Sequence, residues 1–305
     1  NRTIAYESPI NSLKNTTKNR RNITFMFPGM GTGYDKMGQD LYRNFPIFAK
    51  YFKQCRDIIF RISECKIDIL ASVDSEDLAL CIVSVSYSIA KSLEELGIRP
   101  NTLIGHSLGE YSMAIFNGIF SLEDGLNLVY IRNELLKSVE SGKMIAVMGD
   151  LGEIQNILPS NTEIAIFNTK ERFTISCLDR DYKEIVSRLE ENEIAYKILK
   201  VSKPFHTKYI RKIENQYLNI LKQVNCNNIC RYNMVSTYYG TYIENNEMSS
   251  PEYWINQMCG MVNFYQGIET IFKRNRNIEY DLYIEIGGNN NLSSLLNSMH
   301  KEEIF

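Results

Sequence analysis

Nine consecutive residues constrain this chain more than any other feature. Thr102-Leu103-Ile104-Gly105-His106-Ser107-Leu108-Gly109-Glu110 sets a short apolar strand before G-x-S-x-G and a helix-compatible stretch after it. Glycines on both sides of a serine permit a tight strand-to-helix turn that pushes the hydroxyl out of the sheet edge. The helix N-terminus that follows offers unpaired backbone N–H groups to an oxyanion. The expectation is a nucleophile, Ser107, at the edge of an α/β core; the alternative is a glycine-rich turn without chemistry.

The flanking sequence supports that core. Residues 23–27 read as a buried strand closed by Pro28-Gly29-Met30-Gly31-Thr32-Gly33. Ile82, Val85, Ile89, Leu93 and Leu96 recur at helical spacing and stop at Gly97. Strand, glycine loop and helix alternate, which predicts an α/β fold with a mostly parallel sheet. Between residues 143 and 202 the pattern changes to strand (144–148), short helix, strand (163–167), strand (172–177), helix (182–191) and strand (196–201). That β-α-β-β-α-β order predicts a ferredoxin-like subdomain, 143–202, inserted into a larger one made of 23–142 and 203–305. Residues 1–22 are polar and basic without a sustained period and read as an interdomain linker on an excised fragment.

The chain has 305 residues, 44% hydrophobic and 23% charged, enough to bury a sizeable core as a soluble globular protein. Its formal net charge of −2 provides no overall basic field, so neither nucleic acid nor a membrane is an expected partner. Short basic runs at 18–21 and 273–276 read as solvated surface. The seven cysteines are odd in number and scattered, and no signal peptide or 18-residue apolar stretch occurs, which places the chain in a reducing cytoplasm. Cys226 and Cys230 lack a second Cys or His pair, so no metal site is expected.

A serine hydroxyl needs an adjacent base. Of the three histidines, His106 neighbours Ser107 in a sharp turn and its side chain should diverge, leaving His206, stiffened by Pro204, and His300. Ser121-Leu122-Glu123-Asp124 resembles a capping box, with Asp in place of Glu, and starts a helix bearing Leu128, Val129, Leu135, Leu136 and Val139 on one face. Arg132 lies on that apolar stripe. A buried guanidinium must either meet an internal acid or face a cavity that receives an anionic ligand, and the pattern leaves both open.

Several of these segments together resemble one family, the malonyl-CoA:acyl carrier protein transacylases and the acyltransferase domains of polyketide and fatty acid synthases. The segment from Phe27 to Gly33 is similar to the family's F-P-G-Q-G-S-Q loop, Gly105 to Glu110 matches G-H-S-x-G-E, and Pro204-Phe205-His206 resembles its catalytic P-F-H or A-F-H. Tyr253-Trp254-Ile255 with Gln257, and Ile284-Glu285-Ile286-Gly287, resemble its Y-W-V and E-V-G-P-G segments. Arg132 stands 25 residues after Ser107, as does the family's carboxylate-binding arginine. The resemblance runs from about residue 23 to residue 296.

Carried over, it implies an α/β-hydrolase-like core with a ferredoxin-like insertion and a Ser107–His206 dyad. It further implies an oxyanion hole from the N–H groups of Met30 and Leu108, a main-chain carbonyl of Gln257 orienting His206, and Arg132 holding the acyl carboxylate. No permanently bound cofactor is expected; the substrates would be phosphopantetheine thioesters, with coenzyme A or a carrier protein as donor and an acyl carrier protein as acceptor, beside neighbouring synthase domains. Phe205 before the histidine is similar to the phenylalanine of malonyl-selective relatives. Gly33, Cys259, Met261, Gly287-Gly288-Asn289 and Lys203 depart from the family pattern around the pocket. Of these, Lys203, with Gly33 and Cys259, gives the pocket a polar character that suits a hydroxymalonyl or aminomalonyl donor as the alternative to malonyl. The rival classes are a serine hydrolase, which would draw on His300, and a degenerate carrier-docking domain without activity.

Overall fold

The computed structural model describes residues 21–71, 77–159, 162–227, 230–276 and 280–302. Its first sheet gathers β1 (Arg21–Phe27), β2 (Thr102–Gly105), β7 (Asn233–Ser236), β8 (Thr241–Ile243) and β10 (Tyr280–Glu285) in the order β10-β1-β2-β7-β8. The β10/β1, β1/β2 and β2/β7 pairs are parallel, and only β8 runs antiparallel at the edge. Parallel strands need both faces covered, and side chains alternate accordingly. Phe25, Phe27, Leu103 and Met234 enter one buried cluster, while Met26, Ile104 and Val235 enter another on the opposite face.

The helices that cover these faces follow the periodicity of the sequence. α2 (Pro46–Ile62), α3 (Leu78–Glu95), α4 (Gly109–Asn117) and α5 (Leu122–Leu136) pack on the Phe25 side, with α1 (Gln39–Asn44) against α2. α8 (Glu214–Leu221), α9 (Asn245–Met248) and α10 (Pro251–Cys259) extend that cluster through Tyr217, Met248 and Trp254. α11 (Phe264–Asn275) and α12 (Asn291–Glu302) cover the other face through Phe264, Ile268, Leu292 and Leu296. As the capping residues predict, Ser121 accepts from the Asp124 N–H at 3.0 Å and starts α5. β1 begins at Arg21, two residues before the expected strand, because Asn22 donates to Asp281 at 2.7 Å and lengthens the β1/β10 pairing. Of the expected linker, residues 1–20 lie outside the described residues.

A second sheet follows α5. β3 (Gly142–Met148), α6 (Leu151–Ile157), β4 (Glu163–Thr169), β5 (Arg172–Leu178), α7 (Tyr182–Glu191) and β6 (Tyr196–Ile198) appear in the β-α-β-β-α-β order. The strands lie as β6-β3-β5-β4, antiparallel throughout, with Ile154, Ile185 and Leu189 of the helices packed on Ile145, Phe173 and Ile175. A fifth strand, β9 (Val262–Asn263), joins β4 in parallel from the far end of the chain, pairing Val262 with Ile166. Val262 closes a small cluster with Met144, Ala165 and Ile166 on the face away from the helices. Two residues carry no periodicity, so this connection between the sheets had no sequence signal.

Candidate active site

The nucleophile elbow is built as its glycines predict. A Cβ on Gly109 would stand 2.0 Å from the Phe27 carbonyl oxygen, and one on Gly105 would stand 2.5 Å from the Glu110 nitrogen. Only glycine lets α4 start this close to the ends of β1 and β2. Between them Ser107 takes a left-handed φ of +53°, a strained backbone for a non-glycine residue. Helical bonds begin with Gly109 N to His106 O and Tyr111 N to Leu108 O. That geometry leaves the Leu108 N–H at the helix start without a helical carbonyl. Met30, half-buried, opens the short 3-10 helix Met30–Thr32 in the facing loop.

His206 also has a left-handed φ, +59°. A tight local turn holds it: Phe205 N donates to Lys203 O at 3.0 Å, and the Thr207 hydroxyl donates to Pro204 O at 2.6 Å. His206 Nε2 lies 2.7 Å from Ser107 Oγ, and Nδ1 lies 3.0 Å from the Gly260 carbonyl. A carbonyl only accepts, so Nδ1 carries the proton and Nε2 is free to accept the serine's. Burial, with the positive charge of Arg132 second, lowers the imidazole from 6.5 to about 3. It is therefore neutral at ordinary pH and can act as a base.

This arrangement adds Gly260 to the expected role of Gln257. The ring is oriented chiefly by the Gly260 carbonyl, with the Gln257 main chain a smaller contributor, because Gly260 ends α10 with its C=O turned toward the ring. The Gln257 side chain instead donates to the Ser107 carbonyl at 2.9 Å and braces the elbow. His106 diverges from Ser107 as expected: its Nε2 meets Asn168 Oδ1 of β4 at 2.9 Å, and its ring packs 5.5 Å from Phe264. His300 falls in α12, and its side chain lies outside the described residues.

Arg132 is 3% exposed on α5. Its guanidinium lies 5.8 Å from the Tyr111 ring and 5.7 Å from the Phe205 ring, and its Nε has no hydrogen-bond partner. Among the described residues no carboxylate pairs with it, so the internal acid that the sequence left open is absent there. A buried cation near two aromatic rings, with Phe205 adjoining His206, is fit to receive an anion beside Ser107 and His206. Lys203 contradicts its expected role. Its ammonium donates to the Val139 carbonyl at 2.5 Å, just past the end of α5, rather than lending charge to the pocket.

Sequence reasoning missed three residues here. Gly260 and Asn168 reach the site by long-range packing and carry no local signal. Glu110 had one, a carboxylate opening an apolar helix. It is 0% exposed and accepts from Thr237 N and Tyr253 Oη, and burial pushes it up to about 7. Among the described residues there is no group of His, Cys, Asp and Glu able to hold a metal ion, and no helix long and apolar enough to cross a membrane.

Comparison with known proteins agrees with this geometry. Residues 24–301 match the family described as the acyl transferase domain. The polyketide biosynthesis acyltransferase homolog BaeD of Bacillus velezensis is 32% identical over 216 residues, covering 66% of either chain. The acyl transferase domain of SpnD superposes with a TM-score of 0.86 at 21% identity, over 96% of this chain and 71% of that one. The malonyl CoA-acyl carrier protein transacylase of Burkholderia pseudomallei gives 0.81 at 23% identity, over 93% and 99%. The chain spans 66% of the length of BaeD and 11–17% of the curated polyketide synthases that it matches. With an elbow serine facing a buried neutral histidine, this chain belongs to the acyl transferase domain family.

Proposed function

We propose that this chain loads a malonyl-type acyl group from a thioester of coenzyme A or of a carrier protein onto Ser107, and then onto the phosphopantetheine thiol of an acyl carrier protein. The observation that carries the reading is the juxtaposition of the 2.7 Å Ser107–His206 contact with a buried Arg132 that has no acid partner among the described residues. Ser107 Oγ attacks the thioester carbonyl as its proton passes to His206 Nε2. N–H groups of Met30 and Leu108 receive the oxyanion. Collapse breaks the C–S bond, the leaving thiolate takes the proton from His206, and an acyl-serine remains. The carrier thiol then gives its proton to His206 and attacks the ester, and the proton returns to Ser107 as the serine leaves.

Arg132 receives the free carboxylate of the acyl group as a charge-assisted, bidentate pair, which selects dicarboxylic donors. Phe205, stacked on that guanidinium, crowds a methyl branch on the α-carbon and favours malonyl over methylmalonyl by roughly 1–3 kcal/mol. With Lys203 turned to α5, the case for a polar donor such as hydroxymalonyl weakens to Gly33 and Cys259 alone. Residues 143–202 act as one wall of the cleft, while 23–142 and 203–305 carry the dyad. Neighbouring synthase domains are the natural context of such a unit. A hydrolase triad would put a carboxylate at His206 Nδ1, where the Gly260 carbonyl stands.

Incubating the protein with malonyl, methylmalonyl and acetyl thioesters and weighing the Ser107 peptide tests the reading. Malonyl adducts should dominate, Ser107→Ala should take none, and His206→Ala should load at least about 10³-fold more slowly. His300→Ala should stay within about twofold. Loss of loading in His300→Ala with His206→Ala intact, or release of free acid without transfer to a carrier thiol, would establish a hydrolase instead.

A further inference from the structure

We propose that Lys203 and Lys212 are positioning residues for acyl selection: they bind the end of α5, and through it Arg132, to the loop that carries His206. The inference rests on the reading of Arg132 as partner of the acyl carboxylate.

The turn after α5 tightens, with Lys137 N, Ser138 N and Val139 N donating three residues back to Glu134, Leu135 and Leu136. The next three carbonyls, those of Lys137, Ser138 and Val139, point onward from the negative end of the helix. All three are taken by ammonium groups from the histidine segment. Lys203 Nζ donates to Val139 O at 2.5 Å and reaches Lys137 O at 3.4 Å, while Lys212 Nζ donates to Ser138 O at 2.6 Å. Gly142 N adds a backbone bond to Ser202 O at 3.0 Å. One lysine stands three residues before His206 and the other six after it, so the histidine is bracketed by its own anchors.

A second contact between the same two elements lies deeper, where Arg132 of α5 faces the Phe205 ring. Arg132 precedes Lys137 by five residues, about 7.5 Å along the helix at 1.5 Å per residue. Fixing the α5 end therefore fixes how far the guanidinium stands from the imidazole. That spacing sets the distance between an acyl carboxylate and the carbonyl that Ser107 attacks. A displacement of about 1 Å between such groups costs up to roughly 10²-fold in rate. A donor without the second carboxylate does not use Arg132 and is indifferent to it.

Single-turnover loading of Ser107 from malonyl-CoA and from acetyl-CoA, read by mass, tests this in the Lys203→Met/Lys212→Met double variant. A Lys203→Arg/Lys212→Arg variant, which keeps two donors at these carbonyls, serves as rescue, and each pair is also placed in the Arg132→Ala background. The Met pair should slow malonyl loading about tenfold and acetyl loading less than twofold, and the Arg pair should restore malonyl loading to within about threefold. Without Arg132, the Met pair should change neither donor by more than about twofold, as coupling through Arg132 requires. Equal loss for both donors, or the same malonyl loss without Arg132, would reduce the lysines to general supports and overturn the inference. If Arg132→Ala alone leaves the malonyl-to-acetyl ratio unchanged, the carboxylate reading of Arg132 falls first and the inference falls with it.

Discussion

Glu110 on α4 and Arg132 on α5 are both buried, ionisable and near the elbow, yet their surroundings differ. Below the elbow, Glu110 accepts from Thr237 N and lies within 2.7 Å of the Thr237 hydroxyl, and Tyr253, itself 2.8 Å from Ser236 Oγ, donates to its other oxygen. Arg132 instead has the Tyr111 and Phe205 rings within 6 Å and an Nε with no hydrogen-bond partner. Burying a charge is costly unless it is paired. A chain retains the unpaired one where something from outside completes it. The contrast separates a buried group whose partners are all internal from one that has no internal acid among the described residues.

Exchanging the two groups' fates gives the largest effect. Arg132→Ala should cut the malonyl-to-acetyl loading ratio about 10²-fold, since a charge-assisted pair contributes roughly 1.5–3 kcal/mol, and leave the melting temperature level or higher. Glu110→Ala should do the reverse, leaving Thr237 N–H and the Tyr253 hydroxyl without their acceptor. The expected cost is about 3 kcal/mol, a fall of roughly 6 °C with the ratio unchanged. Thermal melts beside donor competition check both, and a stability loss in Arg132→Ala with no change in ratio would erase the distinction.

A smaller effect is expected in the pH profile of malonyl loading. Burial first and Arg132 second lower His206 to about 3, so the acid limb of kcat/KM should lie well below 6.5. Arg132→Ala removes the second cause and should move that limb upward. Loading rates from about pH 4 to 8 decide it; a limb near 6.5 in the unaltered protein would mean that water reaches the imidazole.

The smallest effect is thermal. A histidine lowered by folding leaves the unfolded chain with the extra proton below 6.5, so its contribution to stability is present above 6.5 and lost as pH falls toward 3. Glu110 is raised, so its contribution is present below 4.5 and lost as pH rises through about 7. Between 4.5 and 6.5 the two oppose. Glu110→Gln should leave the histidine slope alone, so the melting temperature should climb more steeply with pH across that window. An unchanged slope would mean that Glu110 does not titrate there.

The elbow and the alternating strands were legible because each is local: Gly105, Ser107 and Gly109 sit within five residues, and the helical stripe of α5 exposes Arg132 as the odd member. That no acid pairs with Arg132 among the described residues was not legible, since it is a fact about residues from other elements. Gly260 was not legible beside Gln257 because a main-chain carbonyl has no letter in a sequence; only the end of α10 shows that the Gly260 carbonyl stands 3.0 Å from His206 Nδ1. Lys203 was misassigned for a related reason. Its place in the segment that resembles the family's pocket suggested a pocket residue, whereas its long stem reaches the Val139 carbonyl past a helix end more than sixty residues earlier.

The pairing of β9 with β4 bears on how such enzymes can be recombined. Val262 and Asn263 belong by sequence to the elbow's half of the molecule yet complete the second sheet, and Gly260, which holds His206 by its carbonyl, lies two residues upstream. A graft that imported residues 143–202 from a relative would carry a foreign β4 edge against the native Val262. A mismatch there falls two residues from the Gly260 carbonyl that accepts from His206. The structural unit of the second sheet is therefore discontinuous, and a graft that respects it takes the short strand after α10 along with residues 143–202.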